Sequence, residues 1–104
     1  MIFMCQIDVS IPPAMPQAEK DELRKRENAR AEQLINEGTM VRIWRIVGRV
    51  ANFSVWQAPT LEALHETLMS MPMFPYMKIE VTPLIDHPCT QIAEKRNSSA
   101  QAPK

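Results

Sequence analysis

Nine prolines set against two glycines constrain this chain more than any other feature. Proline fixes φ and removes a backbone donor, so each one tends to close a helix or a central strand. Pro12, Pro13 and Pro16 end a first segment, Pro59 a second, Pro72 and Pro75 a third, and Pro83 and Pro88 a fourth. Gly38 follows Asn36 and Glu37 after a charged, helix-like stretch, where a left-handed residue commonly closes a helix. Gly48 stands between two β-rich runs and predicts a tight turn.

Between these marks the hydrophobic period changes from segment to segment. Residues 2–11 alternate, with Phe3, Cys5, Ile7, Val9 and Ile11 on one face and Gln6, Asp8 and Ser10 on the other, which predicts a strand. Residues 16–37 are built from good helix formers, and Leu23, Glu27, Ala31 and Leu34 fall on one helical stripe. The runs MVRIWRIV (40–47) and VANFSVWQ (50–57) predict two strands joined at Gly48 and Arg49 as an antiparallel hairpin. Thr60 is the expected N-cap of a second helix, with Leu61, Leu64, Leu68 and Met71 directed inward. A last strand is expected over 76–82 (YMKIEVT). The order is βαββαβ, an α+β arrangement in which a four-stranded antiparallel sheet carries two helices on one face, the ferredoxin-like plan.

One face of such a sheet has no partner within the chain. Met4, Met40, Trp44, Trp56 and Tyr76 are bulky groups expected there, and an apolar sheet face predicts burial against another subunit. With 104 residues the chain makes one domain, expected to span residues 1–88. Residues 89–104 are expected to form a polar tail, disordered from about Asn97 onward.

Composition removes several classes of function. Twelve basic residues balance twelve acidic ones, so the electrostatic footprint of a nucleic-acid or anionic-membrane binder is missing. No run of roughly 18 apolar residues is present to span a bilayer. The opening MIFMCQIDVSIPP lacks a basic leader region and carries Asp8 in its apolar stretch, unlike a signal peptide. Cys5 and Cys89 have no metal-ligand spacing and are too few for a disulfide scaffold. A soluble, cytoplasmic protein is expected. No GxGxxG, P-loop, HExxH, CxxC or GxSxG pattern occurs, so nucleotide, zinc and serine-hydrolase chemistry lack support.

Glu27 is the most informative single position, because it interrupts an apolar helical stripe and carboxylates are rarely buried unpaired. Arg24 and Arg30 lie three residues to either side, within reach on a helix. Glu27 is therefore either a rim residue in an intrahelical ion pair or a partly buried base suited to proton transfer. Arg42 and Arg45 flank Trp44 in a strand and project to opposite faces. Either could grip a substrate carboxylate bidentately, or pair with Glu27, Glu80 or Asp8. Asn52 and Ser54 share a strand face with Trp56, placed to bond a ligand or simply to line a sheet surface. His65 reads as a surface or packing residue, His87 as part of a turn, and Cys5 as a small core residue.

A family resemblance adds to this reading. The segments MIFMCQIDVSIPPAMP, EQLINEGT, IWRIVGRVANFSVW and ALHETLMSMPMFPYMKIEVTPL, with the closing HP, resemble the muconolactone Δ-isomerase family from Met1 to about Pro88. The resemblance implies a dimeric α+β barrel, assembled further into a homodecamer. It implies a cofactor-free enzyme, without a metal, that acts on a small lactone in the β-ketoadipate route of catechol breakdown. Muconolactone there becomes 3-oxoadipate enol-lactone by movement of a ring double bond. The family pairs a helix Lys with a Glu three residues later; Glu27 matches the Glu, and Arg24 stands in place of the Lys. Both are expected to be catalytic, Glu27 carrying the proton and Arg24 stabilising charge. Arg42 stands where relatives often carry His, while Trp44, Arg45, Asn52 and Ser54 keep the family pattern; these five are the expected substrate-binding residues. The related 5-chloromuconolactone dehalogenase shares much of this motif set, so a chloro- or methyl-substituted lactone is an alternative substrate. A non-catalytic, oligomeric binding barrel is the alternative outside enzymology.

Overall fold

The computed structural model describes the backbone of residues 1–101 and the side chains of residues 1–90 and 92–96. The chain runs β1 (Ile2–Val9), α1 (Gln17–Asn36), β2 (Met40–Arg45), β3 (Ala51–Gln57), α2 (Leu61–Met69), a single 3₁₀ turn (Phe74–Tyr76), β4 (Met77–Leu84) and α3 (Pro88–Gln101). The four strands form one sheet in the order β2-β3-β1-β4, and every neighbouring pair is antiparallel. β1 and β2 consequently run the same way with β3 between them, so α1 is the crossover of a split βαβ unit. The fold is the expected ferredoxin-like α+β arrangement.

Local chemistry explains the boundaries. Helix α1 begins after Pro16 and ends at Asn36, with Glu37 as its C-cap. Gly38 then turns the chain with φ +81°, a conformation costly for residues that carry a Cβ. The amides of Gly38 and Thr39 donate to the carbonyls of Ile35 and Leu34, each at 3.0 Å, satisfying groups the helix end leaves open. Gly48, at φ +87°, supplies the same freedom in the β2–β3 hairpin. Thr60 caps α2, its side chain accepting a bond from the Ala63 amide at 3.0 Å.

The core lies between the helices and one sheet face. Phe3, Cys5 and Ile7 of β1 meet Leu34 of α1, Leu64 and Leu68 of α2, and Trp56 of β3. Each large apolar side chain buried there contributes roughly 1.5–3 kcal/mol relative to an exposed one. Several positions differ from expectation. Met40 and Trp56 are fully buried under the helices rather than on the open face. Trp56 stands opposite Phe3, and an irregular register between Met40 and Arg42 turns Met40 toward Trp56. Leu61 is half-exposed because it opens α2 at the edge of the packed stripe, whereas Leu64, Leu68 and Met71 are buried as expected. Tyr76 belongs to the 3₁₀ turn and not to the last strand.

The polar tail carries helix α3 over Pro88–Gln101; residues 102–104, the end of the tail expected to be disordered, lie outside the described residues. His87, in the turn before α3, accepts at its Nδ1 a bond from the Cys89 amide at 3.0 Å.

Candidate active site

A cavity of about 540 Å³ opens between α1 and the helix-covered sheet face. The element geometry dictates what lines it. Glu27 and Arg24, one turn apart on α1, face strands whose alternate residues point toward the helix: Arg45 and Ile43 of β2, and Asn52 and Trp56 of β3. Met71 and Met73, from the segment between α2 and β4, and Met77, which opens β4, close it. Asn28 of α1 adds a further polar group, and the rest of the wall is apolar, a concave surface with a few convergent polar groups.

Glu27 is the centre of this site. It retains only 8% of its exposure, and its Oε1 accepts a bond from the Met73 amide at 2.9 Å. Its Oε2 is buried without any hydrogen-bond partner. Burial pushes the Glu27 carboxyl above its ordinary range, and the Met73 amide offsets part of that rise. An intrahelical ion pair is not what holds it. No ion pair of Glu27 occurs among the described residues, and Arg30 turns instead to Ser70, donating from Nε at 3.1 Å and from Nη2 at 2.8 Å. Arg24 shares the cavity with Glu27 as a charge at its wall.

A second orphan atom lies in the same cavity. Asn52 Oδ1 is buried and has no partner. Buried polar atoms are nearly always satisfied, so two unsatisfied ones in one cavity mark where a ligand's polar groups would bind. Arg45 lines this cavity as well, while remaining exposed.

The other expected binding residues are placed elsewhere. Ser54 shares the face of Asn52, but it is fully buried and its Oγ accepts the Trp56 indole N–H at 2.7 Å, inside the core. Arg42 and Trp44 are on the opposite sheet face, as the odd spacing from Arg45 requires. There the Arg42 guanidinium lies over the Trp44 ring, 5.3 Å from its centroid, a cation–π contact. Asp8 pairs with Arg49 of the hairpin turn, and that guanidinium holds its carboxyl below the usual range. The sequence reading missed the Met73 amide and the methionine wall. Backbone donors carry no residue signature, although Pro72 and Pro75, which lack amide hydrogens, single out the chain between them.

Comparison with known proteins gives this geometry a context. The family model described as muconolactone delta-isomerase matches residues 1–90. The chain belongs to the muconolactone Δ-isomerase family. It is 43% identical over 88 residues to the muconolactone Δ-isomerase of Cupriavidus pinatubonensis, covering 85% of this chain and 96% of that one. It is 38% identical over 96 residues to that of Pseudomonas aeruginosa, covering 92% and 100%. Among solved structures, a crystal structure of muconolactone isomerase superposes with a TM-score of 0.80 at 45% identity, over 85% of this chain and 92% of that one. A dehydrochlorinase of 5-chloro-2-hydroxyhydroquinone from Burkholderia phenoliruptrix shares the fold, with a TM-score of 0.62 at 14% identity over 84% and 96% of the two chains. As a member of this isomerase family the protein is an enzyme, and its cavity is the candidate seat of a proton-shift reaction.

Proposed function

We propose that the protein isomerises muconolactone to 3-oxoadipate enol-lactone in catechol degradation, with Glu27 as the proton carrier. One observation carries the assignment to this cavity: Glu27 Oε2 and Asn52 Oδ1 are both buried and unpartnered within it. Ionised Glu27 removes a proton from one ring carbon as the electron pair moves into the ring, giving a dienolate. The same carboxyl returns the proton to a second carbon, and the double bond has moved with no net change in atoms or electrons. Burial makes the carboxylate a stronger base than an exposed one. Arg24 stabilises the negative charge that develops on the lactone oxygen. It does so as a fixed charge, since a guanidinium does not shuttle protons. Asn52 offers an amide to the lactone, and Arg45 grips the free carboxylate with its two-pronged donor geometry. The step is redox-neutral and uses only the protein's own groups.

In this reading residues 1–88 are the catalytic domain and residues 89–104 a tail. No described helix is long and apolar enough to cross a membrane. Two free cysteines suit a reducing compartment, which supports the cytoplasm. The apolar sheet face supports pairing of two chains into an α+β barrel, assembled further into a decamer.

The four methionines Met40, Met71, Met73 and Met77 in the wall favour a second reading of the substrate. Thioether side chains adapt to irregular shapes, so methyl- or chloro-substituted lactones fit the same site. Ultraviolet spectra recorded as the protein is mixed with muconolactone and with these analogues test both readings. Fast conversion of muconolactone is expected, with loss of at least about 10²-fold in kcat for Glu27→Gln. No conversion of any of the lactones by folded protein leaves a binding barrel in place of an enzyme.

A further inference from the structure

The bond from the Met73 amide to Glu27 joins α1 to the irregular chain between α2 and the 3₁₀ turn. That chain is short of donors. Pro72 and Pro75 have none, while the amides of Met71, Phe74 and Tyr76 close turns on Leu68, Met71 and Met73 at 2.9–3.2 Å. The Met73 amide is the donor left over, and it is aimed at Glu27. A second contact lies one helical turn further along α1. Arg30 reaches Ser70 Oγ with both Nε and Nη2, and the Ser70 hydroxyl in turn donates to the Thr67 carbonyl at 2.6 Å. Glu27 and Arg30 are three residues apart, as are Met73 and Ser70. The two contacts therefore bridge the same two strips of chain.

We propose that Arg30 and Ser70 are positioning residues for Glu27: by pinning the end of α2 to α1 they keep the Met73 amide on Oε1 and leave Oε2 as the oxygen that works on the substrate. This rests on Glu27 being the proton carrier. Without the pin, the 70–73 chain relaxes away from α1, and Glu27 loses the single bond that favours its ionised form. Both oxygens would then be free to rotate, and the base would be harder to ionise. The other charged groups facing the cavity are Arg24 on the same helix and Arg45 on β2. β1, β3 and the 71–77 segment bring no titratable group to it among the described residues.

The test reads Glu27 directly in the intact assembly. Isotope-edited infrared titration follows the protonated carboxyl band that disappears in Glu27→Gln. Ser70→Ala and Arg30→Met should each move its midpoint upward by about 0.5–1 pH unit, the worth of one ordinary hydrogen bond. The acid limb of kcat/KM should move by the same amount. Ser70→Thr keeps the hydroxyl and should restore the parent midpoint, and the double variant should shift no further than either single one. If Ser70→Ala does not fold, Arg30→Lys, which keeps the charge but loses the two-pronged contact, is expected to shift in the same direction. An unmoved Glu27 midpoint in the folded variants overturns the proposal, even if their rates fall. A fully active Glu27→Gln enzyme would instead overturn the assignment of the base, whatever the midpoints do.

Discussion

At Glu27 function and stability pull in opposite directions. A carboxyl whose pKa is raised on folding binds its proton more tightly in the native state than in the unfolded one. Its contribution to stability is therefore greatest at low pH. It declines as pH rises from the ordinary value of 4.5 through the raised one. Glu27→Gln keeps the shape and the acceptor for the Met73 amide but has no charge to bury. Melting curves recorded from about pH 4 upward, starting near the ordinary carboxyl value, should show the variant gaining on the parent as pH rises, while its activity is lost. A parent that stays the more stable protein throughout would mean that Glu27 is not penalised by burial. Arg24 tests the charge beside it. Arg24→Lys keeps the positive charge and should retain substantial activity, whereas Arg24→Met should be much slower, because the developing oxyanion loses its partner. Equal rates for the two variants would remove Arg24 from the mechanism. Glu27 could be singled out from the sequence because a charged residue in an apolar stripe is a one-dimensional signal. Its unpartnered oxygen could not, because that depends on Arg30 choosing Ser70 across 40 residues of chain.

The elements themselves were set mostly by local chemistry, and those are the parts the sequence reveals. Gly38, Gly48 and the Thr60 cap mark turns and ends through the conformations they permit, with no need of distant partners. Met40 escaped the same logic. Strict alternation along β2 does not survive the irregular pairing between Met40 and Arg42, and a one-residue slip reverses the face to which a side chain points. The α2 cap offers a clean check on the local argument. Thr60→Ala removes the acceptor for the Ala63 amide and should cost about 1 kcal/mol. For a chain of this size that lowers Tm by roughly 4–8 °C. Thr60→Ser should stay close to the parent. An unchanged Tm for Thr60→Ala would show that water replaces the cap at no cost.

For the whole molecule, the sheet face turned away from the helices is where assembly is expected. Trp44 and Phe53 stand directly opposite one another across β2 and β3, with 45% and 40% of their surfaces exposed. Val55 and Met4 continue the patch along β3 and β1, and Leu84 extends it to β4. Cross-strand aromatic pairs left in water lose the burial that makes them favourable, and contiguous apolar patches of this kind mark association surfaces. Arg42 fits that setting: its guanidinium covers the Trp44 ring and can bond across an interface without being stripped of its charge partner, the π face. The predicted outcome is that sedimentation at micromolar concentration finds a species far heavier than the 11.9 kDa chain. Phe53→Glu places a charge in the middle of the patch while leaving the helix-covered core untouched, so it should dissociate the assembly and preserve helix content by circular dichroism. Because Arg42 and Trp44 are on this face and not in the cavity, Trp44→Ala should act in the same direction, weakening association before it alters chemistry in whatever assembly remains. A parent protein that sediments as a stable monomer would overturn the subunit role of this face. A Trp44→Ala protein that keeps its assembly but loses substrate affinity would place Trp44 beside the lactone after all.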